Sequence, residues 1–472
     1  MTRLKLLYGV IALLLAVVYG CKVGPDYVRP KAQTPPSFKE MEGWKKAEPQ
    51  DHIPRGAWWT IFNDARLNSL EEQVNISNQN LAAAEAQYRE ALALVQVARA
   101  AFFPTITAGP SAARQRTSAN APGSQGTSVT ASDYIFSGQV TWELDLWGKV
   151  RRQVESSRAG AQASAAELEG VRLSAQAQLA QDYFQLRALD AQKQILETTV
   201  ANYQKFLDLT KNRYATGVAA QSDVQTAQVQ LDTAGAQLIG VGVQRAQYEH
   251  AIAMLMGKAP YDLTIPASPL DGPPPEIPAG IPSELLERRP DIAAAERLAA
   301  SANAQIGVAL AAYYPTLTLN ASAGFEASHV ADWFSWPSRM WTLGPAALQQ
   351  TVFEGGLRAA QVAQARAAYD ASVAAYRQTV LTAFQQVEDE LAALRILEQQ
   401  ARAQEIAVNS ARKNVQITVN QYKVGTASAL DVITTQAIAL TNELSAVGIL
   451  GSRMTAAVLL VQAVGGGWQA CK

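Results

Sequence analysis

Cysteine, histidine and net charge are all scarce in this chain, and each shortage removes a class of function. The only cysteines among 472 residues are Cys21 and Cys471, too few for a disulfide framework or a cysteine-rich zinc site. His52, His250 and His329 are scattered, whereas a metal site needs several ligands at matched spacing. The chain contains no HExxH, GxSxG or GxxxxGKS pattern, so no enzyme, no metal and no cofactor is expected. Six methionines are spread along the chain and mark no soft-metal pathway. With 40 basic and 41 acidic residues and no basic run, binding to nucleic acid by phosphate neutralisation is excluded. Beyond the N-terminus no apolar run reaches about 18 residues, so the mature chain is expected to have no transmembrane helix.

The N-terminus has a pattern of its own. Arg3 and Lys5 precede the apolar stretch 6–18, and Gly20 stands before Cys21, which predicts a secretory signal over 1–20. A cysteine directly after the cleavage point resembles the lipobox of bacterial lipoproteins, with Cys21 the acylated first residue of a segment 21–62. Val18 and Tyr19 stand where Leu and then Ala or Ser are usual. A short membrane anchor with an incidental cysteine is the alternative.

Sliding the sequence on itself by about 208 residues aligns NRYATGVAAQSDVQTAQ (212–228) with NQYKVGTASALDVITTQ (420–436), identical at 8 of 17 positions. FFPTIT (102–107) meets YYPTLT (313–318), LMG (255–257) meets AVG (463–465), and WGKVRRQ (147–153) lies near GGLRAAQ (355–361). Two copies of one supersecondary unit are predicted, 63–265 and 283–467, with a Pro-rich linker over 266–282 and a tail over 468–472.

Each copy holds a long stretch of good helix formers. Residues 357–424 lack both Pro and Gly, and 149–216 contain only Gly160 and Gly170 as weak points. At 1.5 Å per residue each helix would reach about 100 Å, so such helices must pack along one another in a coiled coil or tube. Gly217 and Gly425 are placed to close these helices in the left-handed conformation. Asp223 and Asp431 follow six positions later, near the first turn of the returning helix. The segments are therefore hairpin tips, near 215–221 and 424–429, and a carboxylate there also suits an ordinary helix start.

Between the helices the period changes. FSGQVTWELDL from Phe136 and LTLNASAGF (317–325) alternate apolar with polar residues, at the length a tilted strand needs to cross a bilayer. Partner strands are expected over 105–113 and 341–352, giving two membrane strands at about 105–145 and two at about 316–352, with 114–133 as an exposed outer loop. A half-buried sheet of a soluble protein gives the same pattern. Trp333, Phe334, Trp336 and Trp341 fit either an interface girdle or a buried aromatic cluster. Four strands cannot close a barrel, because the smallest have about eight. Two chains would give a barrel filled by side chains, whereas three give twelve strands and a passage. Two similar halves in three chains also make six nearly equivalent units around one axis.

CKVGPDYVRP (21–30), the FFPT and YYPT segments, ELDLWGKVRR (143–152), FEGG (353–356) and the two tip motifs together resemble the TolC-like outer-membrane efflux family, lipoprotein branch. The resemblance covers nearly the whole mature chain. It implies a mixed α/β membrane protein: mostly long helices in a periplasmic helical barrel, and four strands per chain in a trimeric twelve-strand outer-membrane β-barrel. It implies a homotrimer anchored in outer-membrane lipid, forming the exit duct of a tripartite efflux system with a periplasmic adaptor and an inner-membrane transporter. Asp431 falls where the family places an acidic ring at the periplasmic gate, Asp223 where the other tip interacts with it, and Tyr422 on a tyrosine that links the hairpins when closed, through contacts such as that with Asp223. Gly217, Val218, Gly425 and Thr426 match the tips that meet the adaptor. Some relatives carry arginine two positions after the tip glycine, where this chain has Ala427, and many carry proline where it has Thr351. The rival reading is a lipid-anchored periplasmic coiled coil that bridges membranes without conducting, which leaves the alternating strands without a purpose.

Overall fold

The computed structural model describes residues 22–32, 38–39, 56–122, 126–275, 277 and 289–466. The expected signal over 1–20, Cys21, His52, residues 278–288, and the expected tail with Cys471 lie outside the described residues. The helices are α1 (Ala65–Ser77), α2 (Gln79–Ala100), α3 (Lys149–Ala215), α4 (Gln221–Leu255), α5 (Pro290–Ala311), α6 (Leu357–Val424) and α7 (Ala429–Ala463). The strands are β1 (Thr105–Arg116), β2 (Thr130–Leu144), β3 (Thr316–Ala327) and β4 (Arg339–Gln349). Two stretches share one order, helix, strand, strand, long helix, helix. In the first the helices have 22, 67 and 35 residues, and in the second 22, 68 and 35. The compact units cut across these stretches. One comprises 1–30, 88–163 and 295–376, and the other 31–87, 164–294 and 377–472. Each long helix contributes to both, because a helix of about 100 Å outruns any single core.

The first unit holds one antiparallel sheet, β1-β2-β3-β4. The β1 and β2 ladder runs from Thr105 opposite Thr141 to Arg116 opposite Thr130, β2 meets β3 from Tyr134 opposite Ala327 to Leu144 opposite Leu317, and β3 meets β4 with a register shift between Leu319 and Ala321. Among the described residues the outer edges of β1 and β4 have no strand partner. Every residue of β1 is exposed, and on β4 Trp341, Leu343 and Leu348 are 76%, 83% and 67% exposed. Two sequence expectations need correction here. The stretch 114–133 is not all loop, since β1 continues to Arg116 and β2 begins at Thr130; the pairing is carried by backbone, and polar side chains on both faces hide the period. Strand β4 ends at Gln349 rather than 352. Trp333 and Phe334 stack at 5.2 Å and contact Tyr134, Phe136 and Phe325; Trp333 is half-buried there, whereas Phe334, Trp336 and Trp341 stay exposed.

Among the described residues one helix, α7, is long and apolar enough to cross a membrane by length and composition alone. This corrects the expectation of none. Counting consecutive apolar residues missed it because Asn442, Glu443 and Arg453 interrupt the run. Its apolar face enters the helical core instead, with Met454, Ala457, Val458 and Leu460 buried.

In the second unit, α1 starts at Asp64, whose Oδ1 accepts from the backbone N–H groups of Arg66 and Leu67. The Tyr183 hydroxyl donates to Asp64 Oδ2 at 2.6 Å. Leu67, Leu70 and Val74 bury the inner face of α1, and Glu71 is buried with them at 0% exposure, neither carboxyl oxygen hydrogen-bonded to a described residue. Burial alone raises its pKa well above the ordinary 4.5. The folded chain thus keeps a proton that the unfolded chain releases, so this stability is full below pH 4.5 and is lost as pH rises above it. Glu71→Met is expected to flatten that dependence and to stabilise the protein by about 1–3 kcal/mol at pH 8, the cost of an unmatched buried polar group. Chemical unfolding at pH 5 and pH 8 measures both effects.

Candidate functional site: the paired hairpin tips

The tips form because each long helix meets a residue that tolerates positive φ. Gly217 has φ 78° and Gly425 has φ 87°. The Val218 N–H then donates to Arg213 O at 2.9 Å, and the Thr426 N–H to Gln421 O at 2.9 Å, the Schellman closure of a helix end. Gly217, Val218, Gly425 and Thr426 are all exposed at the turns, Val218 at 64%.

The returning helices begin differently. In α7 the Ser428 Oγ accepts from the Asp431 N–H at 3.2 Å, while Asp431 Oδ2 accepts from the Ser428 N–H at 2.9 Å and from its hydroxyl at 2.7 Å, a complete capping box. In α4 the cap residue is Ala220, which has no side-chain acceptor, so only the Ala220 N–H to Asp223 Oδ2 bond at 3.2 Å forms. Asp431 is exposed, and its pKa is lowered, first by the Ser428 hydroxyl and then by the Ser428 backbone N–H. Its charge therefore persists below the usual aspartate range.

Beneath the turns, Phe206 and Leu207 of α3, Ala227 of α4, Tyr422 of α6 and Ala429, Val432 and Ile433 of α7 form one apolar cluster. It joins the two hairpins of one chain and brings Tyr422 to 3% exposure. The Tyr422 ring lies 5.3 Å from that of Phe206, and its hydroxyl donates to Thr210 Oγ1 at 3.4 Å. The expected Tyr422 bond to Asp223 is not formed; the apolar cluster turns the tyrosine toward α3, and the Asp223 carboxylate is engaged with its own helix start. Sequence reasoning also missed Arg213. Its guanidinium sits 4.5 Å over the Tyr422 ring, and Nη1 donates to Tyr422 O at 2.6 Å and Lys423 O at 3.4 Å, capping the carbonyl end of α6 from the other hairpin. The available signal was weak: Arg213 against Gln421 is one of the positions at which the two segments differ, next to the shared Tyr214 and Tyr422.

These contacts weight the ring of Tyr422 above its hydroxyl. Tyr422→Phe is expected to cost about 0.5 kcal/mol, because a 3.4 Å bond is long. Tyr422→Ala is expected to cost about 3–5 kcal/mol, as for a large aromatic removed from a core. Thermal unfolding of the two variants separates them.

His250 and His329 are exposed, and among the described residues no three His, Cys, Asp or Glu side chains are grouped to hold a metal ion.

The family model described as outer membrane efflux protein matches residues 70–258 and 281–466. The probable efflux pump outer membrane protein TtgC of Pseudomonas putida is 30% identical over 477 residues, covering 99% of this chain and 96% of the relative. The outer membrane protein OprJ of Pseudomonas aeruginosa is 30% identical, covering 98% and 96%. Among solved structures, the outer-membrane channel OprN superimposes with a TM-score of 0.88 at 31% identity, covering 95% of this chain and 100% of that one. The family is one of channels rather than enzymes. With an open four-stranded sheet, two long helical hairpins and matches across nearly its whole length, the chain belongs to the outer membrane efflux protein family and is an outer-membrane component of efflux.

Proposed function

We propose that three copies of this chain close one twelve-strand barrel in the outer membrane and one helical tube below it, making the exit duct of a tripartite pump. The observation that carries this reading is the sheet: four strands of 12, 15, 12 and 11 residues, with both edges unpaired and large apolar side chains exposed on β4. In hydrocarbon such edges must pair, and copies of the same chain supply the pairing. The exposed tips Gly217, Val218, Gly425 and Thr426 receive a periplasmic adaptor, which joins the duct to an inner-membrane transporter. Asp431, Asp223 and Tyr422 form the periplasmic gate, and Cys21 carries the lipid that holds the chain to the membrane. The duct is passive and catalyses no reaction.

A lipid-anchored strut that does not conduct accounts for the helices but gives the open sheet no partner. The two readings separate in one experiment on the full-length protein purified in detergent. Heat-modifiable trimers that conduct in planar bilayers are expected; a stable monomer without conductance would overturn the duct.

A further inference from the structure

The two tips of one chain are joined by a contact that is used only once, although both halves offer a place for it. The offset of 208 sets Gln421 against Arg213 and Tyr214 against Tyr422. Tyr422 lies beneath Arg213 at 3% exposure, whereas Tyr214 is 47% exposed. The carbonyls repeat the contrast. Tyr422 O accepts from the Gly425 N–H at 3.1 Å and also from Arg213 Nη1, while Tyr214 O accepts from the Gly217 N–H at 2.9 Å and from no side chain among the described residues. Gln421 is exposed.

We propose that the Tyr214 face of the first tip is the seat of Gln421 from a second copy of this chain, and that the gate opens at this joint while Arg213 keeps each chain's own hairpins together. The inference rests on the duct of three copies. In such a ring the hairpins alternate, first, second, first, second. The residue before the tyrosine of one hairpin therefore covers the tyrosine of the next, as Arg213 covers Tyr422. Within a chain that residue is a guanidinium, which supplies a charge-assisted bond and a cation over the ring. Between chains it is a neutral amide, which supplies one ordinary hydrogen bond. Six joints around the ring thus fall into three strong and three weak, and the weak ones lie between chains. Arg213 is in this sense a positioning residue for the gate.

Two measurements on the full-length protein test the assignment. In a Cys471→Ser background, Tyr214→Cys combined with Gln421→Cys is expected to give a covalent trimer ladder on oxidation. Gln421→Arg, at an exposed site where folding is undisturbed, is expected to lower conductance about tenfold, and Arg213→Gln to raise it about as much, with Arg213→Lys between them, since a charged donor outweighs a neutral one by about that factor. A wild-type protein that is trimeric and conducts, while the cysteine pair yields only monomer or Gln421→Arg conducts unchanged, would overturn the joint and leave the duct standing. A wild-type protein that neither trimerises nor conducts overturns the duct itself, and the joint with it.

Discussion

Replacing Arg152 with alanine is expected to release residues 22–30 from the first unit and to destabilise it by about 3–5 kcal/mol, the range for deleting one member of a buried charged network. The Arg152 side chain is 1% exposed. Its Nε donates to Val23 O at 3.0 Å, Nη2 to Gly24 O at 2.8 Å and Asp26 Oδ1 at 3.2 Å, and Nη1 to Glu155 Oε2 at 3.1 Å. Asn303 Nδ2 donates to Pro25 O, and the Tyr27 hydroxyl to Glu296 Oε1, so the segment is seated between the start of α3 and α5. One guanidinium thus holds two backbone carbonyls that alanine would leave unmatched. Lysine keeps the charge but not the fork, so Arg152→Lys is expected to recover only part of the loss. Gly307 offers an independent check. A Cβ there would lie 2.7 Å from Arg152 Cγ and 2.8 Å from Cδ, so Gly307→Ala is expected to push the guanidinium off the same carbonyls. Early proteolytic cleavage near 22–30 together with a lowered melting temperature would register both variants. An Arg152→Ala protein with an intact, protease-resistant segment would contradict the account. The consequence reaches the proposed lipid anchor, because Lys22, the residue after Cys21, pairs with Glu155 at 2.7 Å and the Val23 N–H donates to Trp147 O, three residues past the end of β2.

How much of this was readable beforehand depends on whether the deciding force is local. The bounds of α6 followed directly from the absence of Pro and Gly over 357–424, and the tips from two glycines that take positive φ, since helix propensity and turn geometry are properties of a few adjacent residues. The strands with one apolar face were visible, whereas β1 was faint because every residue on it is exposed, leaving no burial to impose a period. Burial of ionisable groups was not readable at all. Glu71 and Arg152 look like surface residues in the sequence and are buried in the fold, and Arg213 is half-buried. Arg152 and Arg213 are placed by partners more than a hundred positions away, and such contacts are a property of the chain's path, not of its local pattern. Arg213 comes nearest to an exception, because the repeat supplies its own comparison and sets Gln421 at the equivalent position, although that is one difference among several.

Asp431 caps α7 and carries the charge of the proposed gate, and two substitutions that separate cap from charge test that gate. Its carboxylate closes the capping box of α7 through the Ser428 N–H and hydroxyl, and it stands exposed at the tip with its pKa lowered by those same bonds. A depressed carboxylate stays ionised as pH falls through the usual aspartate range, and its contribution to the cap is lost only when pH drops through its folded value. Three such charges around an axis would attract hydrated cations and repel anions. Asp431→Asn keeps an oxygen to accept from the Ser428 N–H but removes the charge, so cation selectivity is expected to fall several-fold with little change in the stability of the tip. Asp431→Ala removes charge and cap together, so the same loss of selectivity is expected with higher conductance, because the first turn of α7 loses the bonds that fix it beside the buried Ala429, Val432 and Ile433. Reversal potentials in a salt gradient report the charge, and single-channel conductance reports the cap. If Asp431→Asn leaves the reversal potential at its wild-type value, the carboxylates do not face the permeating ions and Asp431 is a helix cap alone.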